Sequence, residues 1–223
     1  MSSVKGKLIR LVSRVTLERA AVVSAQAIGG FQRLLLRSDV RAFSAGAKVQ
    51  LLLPSDDVRT YTPVASPDGM VLLGWMHAGG PGARWMSSAR PGDVLPFVGP
   101  QRSLQLDAGP VVLVGDETSV AVAAAFAVER PGQVHAVIQS DDAAGVRAAA
   151  ESVGLEKTDV MARGDTAATA SAVKARLSLA PNATVALTGG SELVVAVRDA
   201  LRRDRVRNIK TKTYWIPGKT GLD

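Results

Sequence analysis

The feature that most constrains this chain is a change of hydrophobic period partway along it. Before residue 54, short stretches rich in β-branched and aliphatic residues alternate with polar ones: LIRLVSRV, TLERAAVVSAQAI and FQRLLLRS, then KVQLLLP after Ser44-Ala45-Gly46. Segments of period two read as antiparallel strands. Gly29-Gly30 supplies a hairpin turn between two of them, because glycine tolerates the positive φ of a tight turn. Further strands are expected at 58–64, 70–76 and 94–98, with turn signals at Ser66-Pro67-Asp68-Gly69 and Pro91-Gly92-Asp93. Strands this closely spaced imply a small barrel.

After Asp107-Ala108-Gly109-Pro110 the pattern is different. VVLVG is a continuous apolar run, the kind buried on both faces of a parallel sheet, and an alanine-rich helix is expected at 118–129. The unit then repeats: HAVIQS and a helix at 143–153, KTDVMA and a helix at 166–179, ATVALTG and a helix at 192–203, and a last strand at 209–215. Strands alternating with helices of this length imply right-handed crossovers and a doubly wound sheet. The expected fold is therefore two domains: an antiparallel β-barrel over residues 1–108 and a parallel-sheet α/β domain over residues 109–223.

Composition narrows the chemistry. The chain has no cysteine and two histidines, His77 and His135. That excludes disulfides, thiolate nucleophiles, cysteine-ligated zinc and iron–sulfur clusters, and leaves too few ligands for a dedicated metal site. Redox chemistry would need a bound organic cofactor. Residues 1–14 carry four basic residues and no long apolar core, and no later run reaches membrane-spanning length. Cytoplasmic residence without membrane insertion is expected. The net charge of +7 is uneven: nine basic and two acidic residues in 1–50, ten and fifteen in 51–197, eight and three in 198–223. Basic ends fit an anionic small-molecule partner or a solvated surface. With aromatics at 4% and no recognition module, nucleic acid is not an expected partner. A monomer is expected.

Four motifs carry the functional reading. In Arg59-Thr60-Tyr61-Thr62-Pro63, Arg59 and Tyr61 share strand parity, giving a charged fork for a phosphate beside a flat ring for a planar heterocycle. Thr62 can turn its hydroxyl or amide towards a ring nitrogen if the strand bends at Pro63; the alternative is an ordinary edge strand ended by proline. His77-Ala78-Gly79-Gly80-Pro81-Gly82-Ala83-Arg84-Trp85 places glycines before a helix, where backbone can approach a pyrophosphate, and is followed by the segment at 97–104. His77 and Trp85 serve equally well as packing residues. Gly115-Asp116-Glu117-Thr118-Ser119 follows the first parallel strand without the three-glycine dinucleotide fingerprint, and its carboxylates suit a helix cap as well as a ligand contact at Thr118. Thr188-Gly189-Gly190-Ser191-Glu192 closes one strand and opens a helix, the usual ligand position in open α/β sheets.

Together these motifs resemble those of the siderophore-interacting protein family, ferredoxin-reductase-like flavoenzymes, over about residues 30 to 218. The resemblance implies FAD, with Arg59 on its phosphate, Tyr61 on the isoalloxazine and Thr62, the catalytic residue, near the reactive nitrogen. It implies a pyrophosphate cradle of His77, Gly80, Pro81, Gly82, Ala83 and Trp85, and a nicotinamide site of Gly115, Asp116, Glu117 and Thr118 with Gly190, Glu192, Tyr214 and Trp215. Val64 stands where the family often has an arginine, and Ala83 where it has a serine. The implied activity passes electrons from NADH or NADPH through FAD to a ferric siderophore, releasing Fe(II). Lys210 and Lys212 share strand parity and are expected to face an anionic chelate. Asp141 and Asp142, beyond HAVIQS, tilt the donor towards NADH. Two alternatives stay open: another acceptor, such as free flavin, a quinone or a redox partner, or a basic binding protein that has lost flavin.

Overall fold

The computed structural model describes residues 17–40, 42–77 and 79–219. The strand expected in LIRLVSRV and the residue Ala78 lie outside them. The first sheet is antiparallel, built from β1 (Glu18–Ile28), β2 (Phe31–Ser38), β3 (Ala47–Leu52), β4 (Val58–Tyr61), β5 (Val64–Ser66), β6 (Gly69–Trp75) and β7 (Val94–Arg102), in the order β4-β3-β7-β1-β2-β6-β5. Its outermost strands, β4 and β5, are joined only by Thr62-Pro63. Three residue steps span roughly 11 Å at most, so the sheet must curl until its edges meet. The single strand expected at 58–64 is thus two, because Pro63 has no N–H for the ladder and the chain changes edge there.

β7 runs four residues further than its expected end at Val98. Proline rarely sits inside a sheet, and two features admit Pro100. β1 pairs only with Val94 to Phe97, and the β3 pairing skips at a bulge between Lys48 and Gln50, opposite Gly99-Pro100. The helix α1 (Pro81–Ser88) lies between β6 and β7 and buries Gly82 and Met86.

The second sheet is wholly parallel, in the order β10-β9-β8-β11-β12, with β8 (Val111–Asp116) central and β9 (Val134–Gln139), β10 (Thr158–Met161), β11 (Thr184–Gly190) and β12 (Ile209–Trp215) around it. Helices α2 (Val120–Glu129) and α3 (Ala143–Glu151) pack together, as do α4 (Thr166–Leu179) and α5 (Ser191–Arg203). The helix expected from 118 starts instead as a 3₁₀ turn at Glu117–Ser119. Along β8, Val111 and Leu113 join one core cluster while Val112 and Val114 join the other, which is why this strand is apolar at every position.

The halves share a core. β6 turns Met70 and Leu72 into the barrel and Val71 and Leu73 outward into the cluster built around α2. Every residue of α2 from Val120 to Phe126 is buried, so small alanines there let sheet and barrel approach from either side. Arg130 fastens the connecting segment by donating to the carbonyls of Leu106, Asp107 and Gly109. The Gly29 turn meets α3 backbone to backbone: a Cβ on Gly29 would lie 2.7 Å from Gly145 Cα. Among the described residues, no helix is long and apolar enough to cross a membrane.

Candidate functional site

In the parallel sheet, β8 continues through α2 to its neighbour β9, whereas β11 lies on the other side of β8. The strand order therefore reverses between β8 and β11, and the C-terminal ends at such a switch point are where open α/β sheets place a ligand crevice. Asp116 and Gly190 stand at those ends. The Asp116 carboxylate is 2% exposed and fully engaged. One oxygen accepts from the Thr118 amide at 2.9 Å and from its hydroxyl, the other from the Gly190 amide at 2.8 Å and the Trp215 indole at 2.9 Å. Trp215 lies against Gly190, where a Cβ would meet its ring at 2.5 Å. Gly115 is equally constrained, since a Cβ would sit 2.1 Å from Ser119 Oγ. The cap reading of Asp116 thus has a geometric basis, and Thr118 has both of its donors turned inward.

Glu117 is buried and paired with Arg163, which also contacts Asp141 at 3.2 Å. Burial works against the Arg163 charge, but the two carboxylates outweigh it and raise its pKa. Glu192 is exposed in the first turn of α5. Tyr214 packs on the shared core within hydrogen-bonding reach of Thr62; burial raises its pKa, Thr62 opposes this and the nearby Asp116 adds to it, so the phenol stays protonated. Thr62 and Tyr214 are the point where the barrel meets the crevice.

On the barrel side, Arg59 and Tyr61 do point together, and both meet α1. A Cβ on Gly82 would lie 2.7 Å from Tyr61 Oη and 3.3 Å from Arg59 Cγ. Burial raises the Tyr61 pKa, against the pull of Arg59. The Arg59 guanidinium donates to Val58 O at 2.7 Å, stands 3.6 Å from Asp57 and is one-third exposed. The N-terminus of α1, capped by Gly80, has no side-chain cap and no acid in its first turn. Its amides at Gly82 and Ala83 precede the first intrahelical donor, the Arg84 amide, which bonds Gly80 O. Ala83 brings no hydroxyl but keeps that amide. Trp85 packs on the barrel core, and His77 is exposed beside Gly80.

On β12, Lys210 stands opposite Ala186 and 3.9 Å from Asp107, and Lys212 stands opposite Thr188, nearer the crevice. Arg202, Arg203, Arg205 and Arg207 lie at the other end of the layer, where α5 ends and β12 begins. Sequence reasoning missed the Asp116–Trp215 bond, whose partners are 99 residues apart, and the Arg130 clasp; no local pattern marks either.

No family model matches the sequence, and no curated protein does. Solved structures do match. A siderophore utilization protein from T. fusca is 21% identical, with 93% of this chain and 95% of that one covered and a TM-score of 0.66. The siderophore-interacting protein SipS from Aeromonas hydrophila is 22% identical, with coverage of 92% and 93% and a TM-score of 0.67. A ferredoxin–NADP+ reductase from Plasmodium falciparum is only 8% identical, yet coverage is 92% and 98% and the TM-score 0.68. The chain therefore has the two-part fold that siderophore-interacting proteins share with ferredoxin reductases, an antiparallel barrel followed by a five-stranded parallel sheet.

Proposed function

We propose that the chain is an FAD-dependent oxidoreductase that takes electrons from NADH or NADPH and passes them to a ferric siderophore, releasing iron as Fe(II). The observation that carries this reading is the cradle on the barrel: Gly82 held against Tyr61 and Arg59 at an uncapped helix N-terminus. A Cβ at Gly82 would clash with the Tyr61 hydroxyl, so glycine is what lets α1 close on this pair. An arginine fork with uncapped amides fits a phosphate or pyrophosphate, and a neutral phenol fits a planar ring system. The arrangement supports FAD on residues 1–108 and the nicotinamide nucleotide on residues 109–223.

The chemistry supplied by bound FAD is acceptance of two electrons together and their release one at a time, which matches a hydride donor to one-electron iron. Arg59 and the amides of Gly82 and Ala83 would hold the phosphates. Tyr61 would supply an aromatic surface to the ring system, and the Thr62 hydroxyl, within reach of Tyr214, a hydrogen-bonding group. Asp116 fixes Trp215 and Gly190 at the floor of the nicotinamide crevice. Lys210 and Lys212 draw anionic chelates in a salt-dependent manner. Reduction releases iron because hard oxygen donors hold Fe(III) better than Fe(II).

The test is spectroscopic. Purified protein should be yellow and release FAD on denaturation, bleach anaerobically with NADH or NADPH, and recover its colour with a ferric siderophore. Colourless protein that FAD cannot reconstitute would defeat the reading. Recovery with quinone or free flavin alone would keep the flavoenzyme and change the acceptor.

A further inference from the structure

The rim of the nucleotide crevice carries an unusual charge arrangement for a protein with a net charge of +7. Five carboxylates stand at or just beyond the C-terminal ends of β8, β9 and β10: Asp116, Glu117, Asp141, Asp142 and Asp165. Arg163 is the cation among them. Its charge is already matched by two of them, Glu117 and Asp141. Its guanidinium pairs with Glu117, whose side chain is 3% exposed, and drawing it away would leave a buried carboxylate without a counter-ion. Asp142 and Asp165 are likewise committed, each accepting a helix amide at 2.8 Å, from Gly145 and Ala168.

Asp141 caps no helix. It is 75% exposed, and only its Oδ2 is engaged, by Arg163 Nε. It lies two residues past Gln139, which is in register with Asp116, so it stands beside the crevice at the end of the neighbouring strand. An acid in that place accepts the vicinal hydroxyls of an adenosine ribose, whereas a 2′-phosphate there needs a free cation. We propose that the crevice selects NADH against NADPH, with Asp141 accepting from the ribose hydroxyls and the Glu117–Arg163 pair denying a 2′-phosphate its counter-charge. The proposal rests on the reductase reading for its donor site and names which donor that site takes.

The experiment separates the two. ADP-ribose and its 2′-phosphate are titrated calorimetrically onto the full chain, wild type and Asp141→Asn, a substitution at an exposed position that leaves Glu117–Arg163 intact. Like-charge juxtaposition at a binding site is worth a factor of ten or more in affinity. Wild type should therefore bind ADP-ribose at least about tenfold more tightly than the 2′-phosphate. Asp141→Asn should weaken ADP-ribose and close most of that gap. Equal binding, or tighter binding of the 2′-phosphate, overturns the proposal and turns attention to Arg147, exposed on α3. If neither ligand binds a protein that holds FAD, the proposal fails while the flavin site stands. ADP-ribose bound selectively by a protein that takes up no flavin sinks the reductase reading instead.

Discussion

Replacing Asp116 with asparagine isolates a buried carboxylate whose two oxygens are both fully used. Its two oxygens accept from four donors, two each, and an amide side chain of the same shape keeps one oxygen and turns an NH2 group on the other pair. The less costly orientation keeps oxygen towards Gly190 and Trp215, because the Thr118 hydroxyl can rotate to accept from the NH2 whereas two N–H donors cannot. The Thr118 amide is then left without an acceptor in a buried turn. An unsatisfied buried donor costs about 1–3 kcal/mol, and exchanging a carboxylate acceptor for an amide weakens the remaining bonds. A loss of about 2–4 kcal/mol follows, which for a chain of this length lowers the thermal midpoint by roughly 5–15 °C. Thermal unfolding followed by circular dichroism measures it, and Thr118→Val in the same background locates it, since the double variant should lose less than the sum of the singles. A midpoint within about 1 °C of wild type would mean that Asp116 is not the acceptor at the switch point.

Arg59→Ala should weaken FAD binding by about 1.5–3 kcal/mol, or roughly ten- to a hundredfold in Kd by fluorescence titration; unchanged affinity would remove Arg59 from the phosphate site. Arg205 sits at φ 62° just after α5, in the left-handed position where glycine is preferred. Arg205→Gly should raise stability by about 0.5–1 kcal/mol in denaturant titration, and a loss would contradict the strain. His135 is depressed from its ordinary 6.5 by burial, against the opposing pull of Asp159. Below that value the unfolded chain takes up a proton the folded one resists, so stability falls as pH drops through 6.5 and levels only below the depressed folded pKa. His135→Gln should flatten that slope in chemical unfolding curves; an unaltered slope would place the titration elsewhere.

Much of the architecture was legible in the sequence because it depends on periodicity. FQRLLLRS, the helix at 166–179 and the last strand at 209–215 coincide with β2, α4 and β12, since each is bounded by its own turn or cap: Gly29-Gly30 before β2, the Asp165 cap before α4. The break at Thr62-Pro63 and the passage of β7 through Pro100 were not legible, because they depend on which strands lie alongside. The pairing of Arg59 with Tyr61 followed from strand parity alone. That both close on Gly82 depends on how α1 folds back over β4.

The roles of the carboxylates needed the tertiary structure most. Asp116-Glu117 and Asp141-Asp142 are alike as sequence, two adjacent acids after a strand. Folding separates them. Asp116 binds Gly190 and Trp215, Glu117 holds Arg163, Asp142 caps α3, and Asp141 stays at the surface beside Arg163. Local sequence determines where strands and helices begin, because turns, caps and apolar period act over a few residues. The partner of a charged group is decided by sheet order, which brings residues tens of positions apart to the same strand ends, and so these pairings form only when β8, β9, β10 and β11 stand side by side.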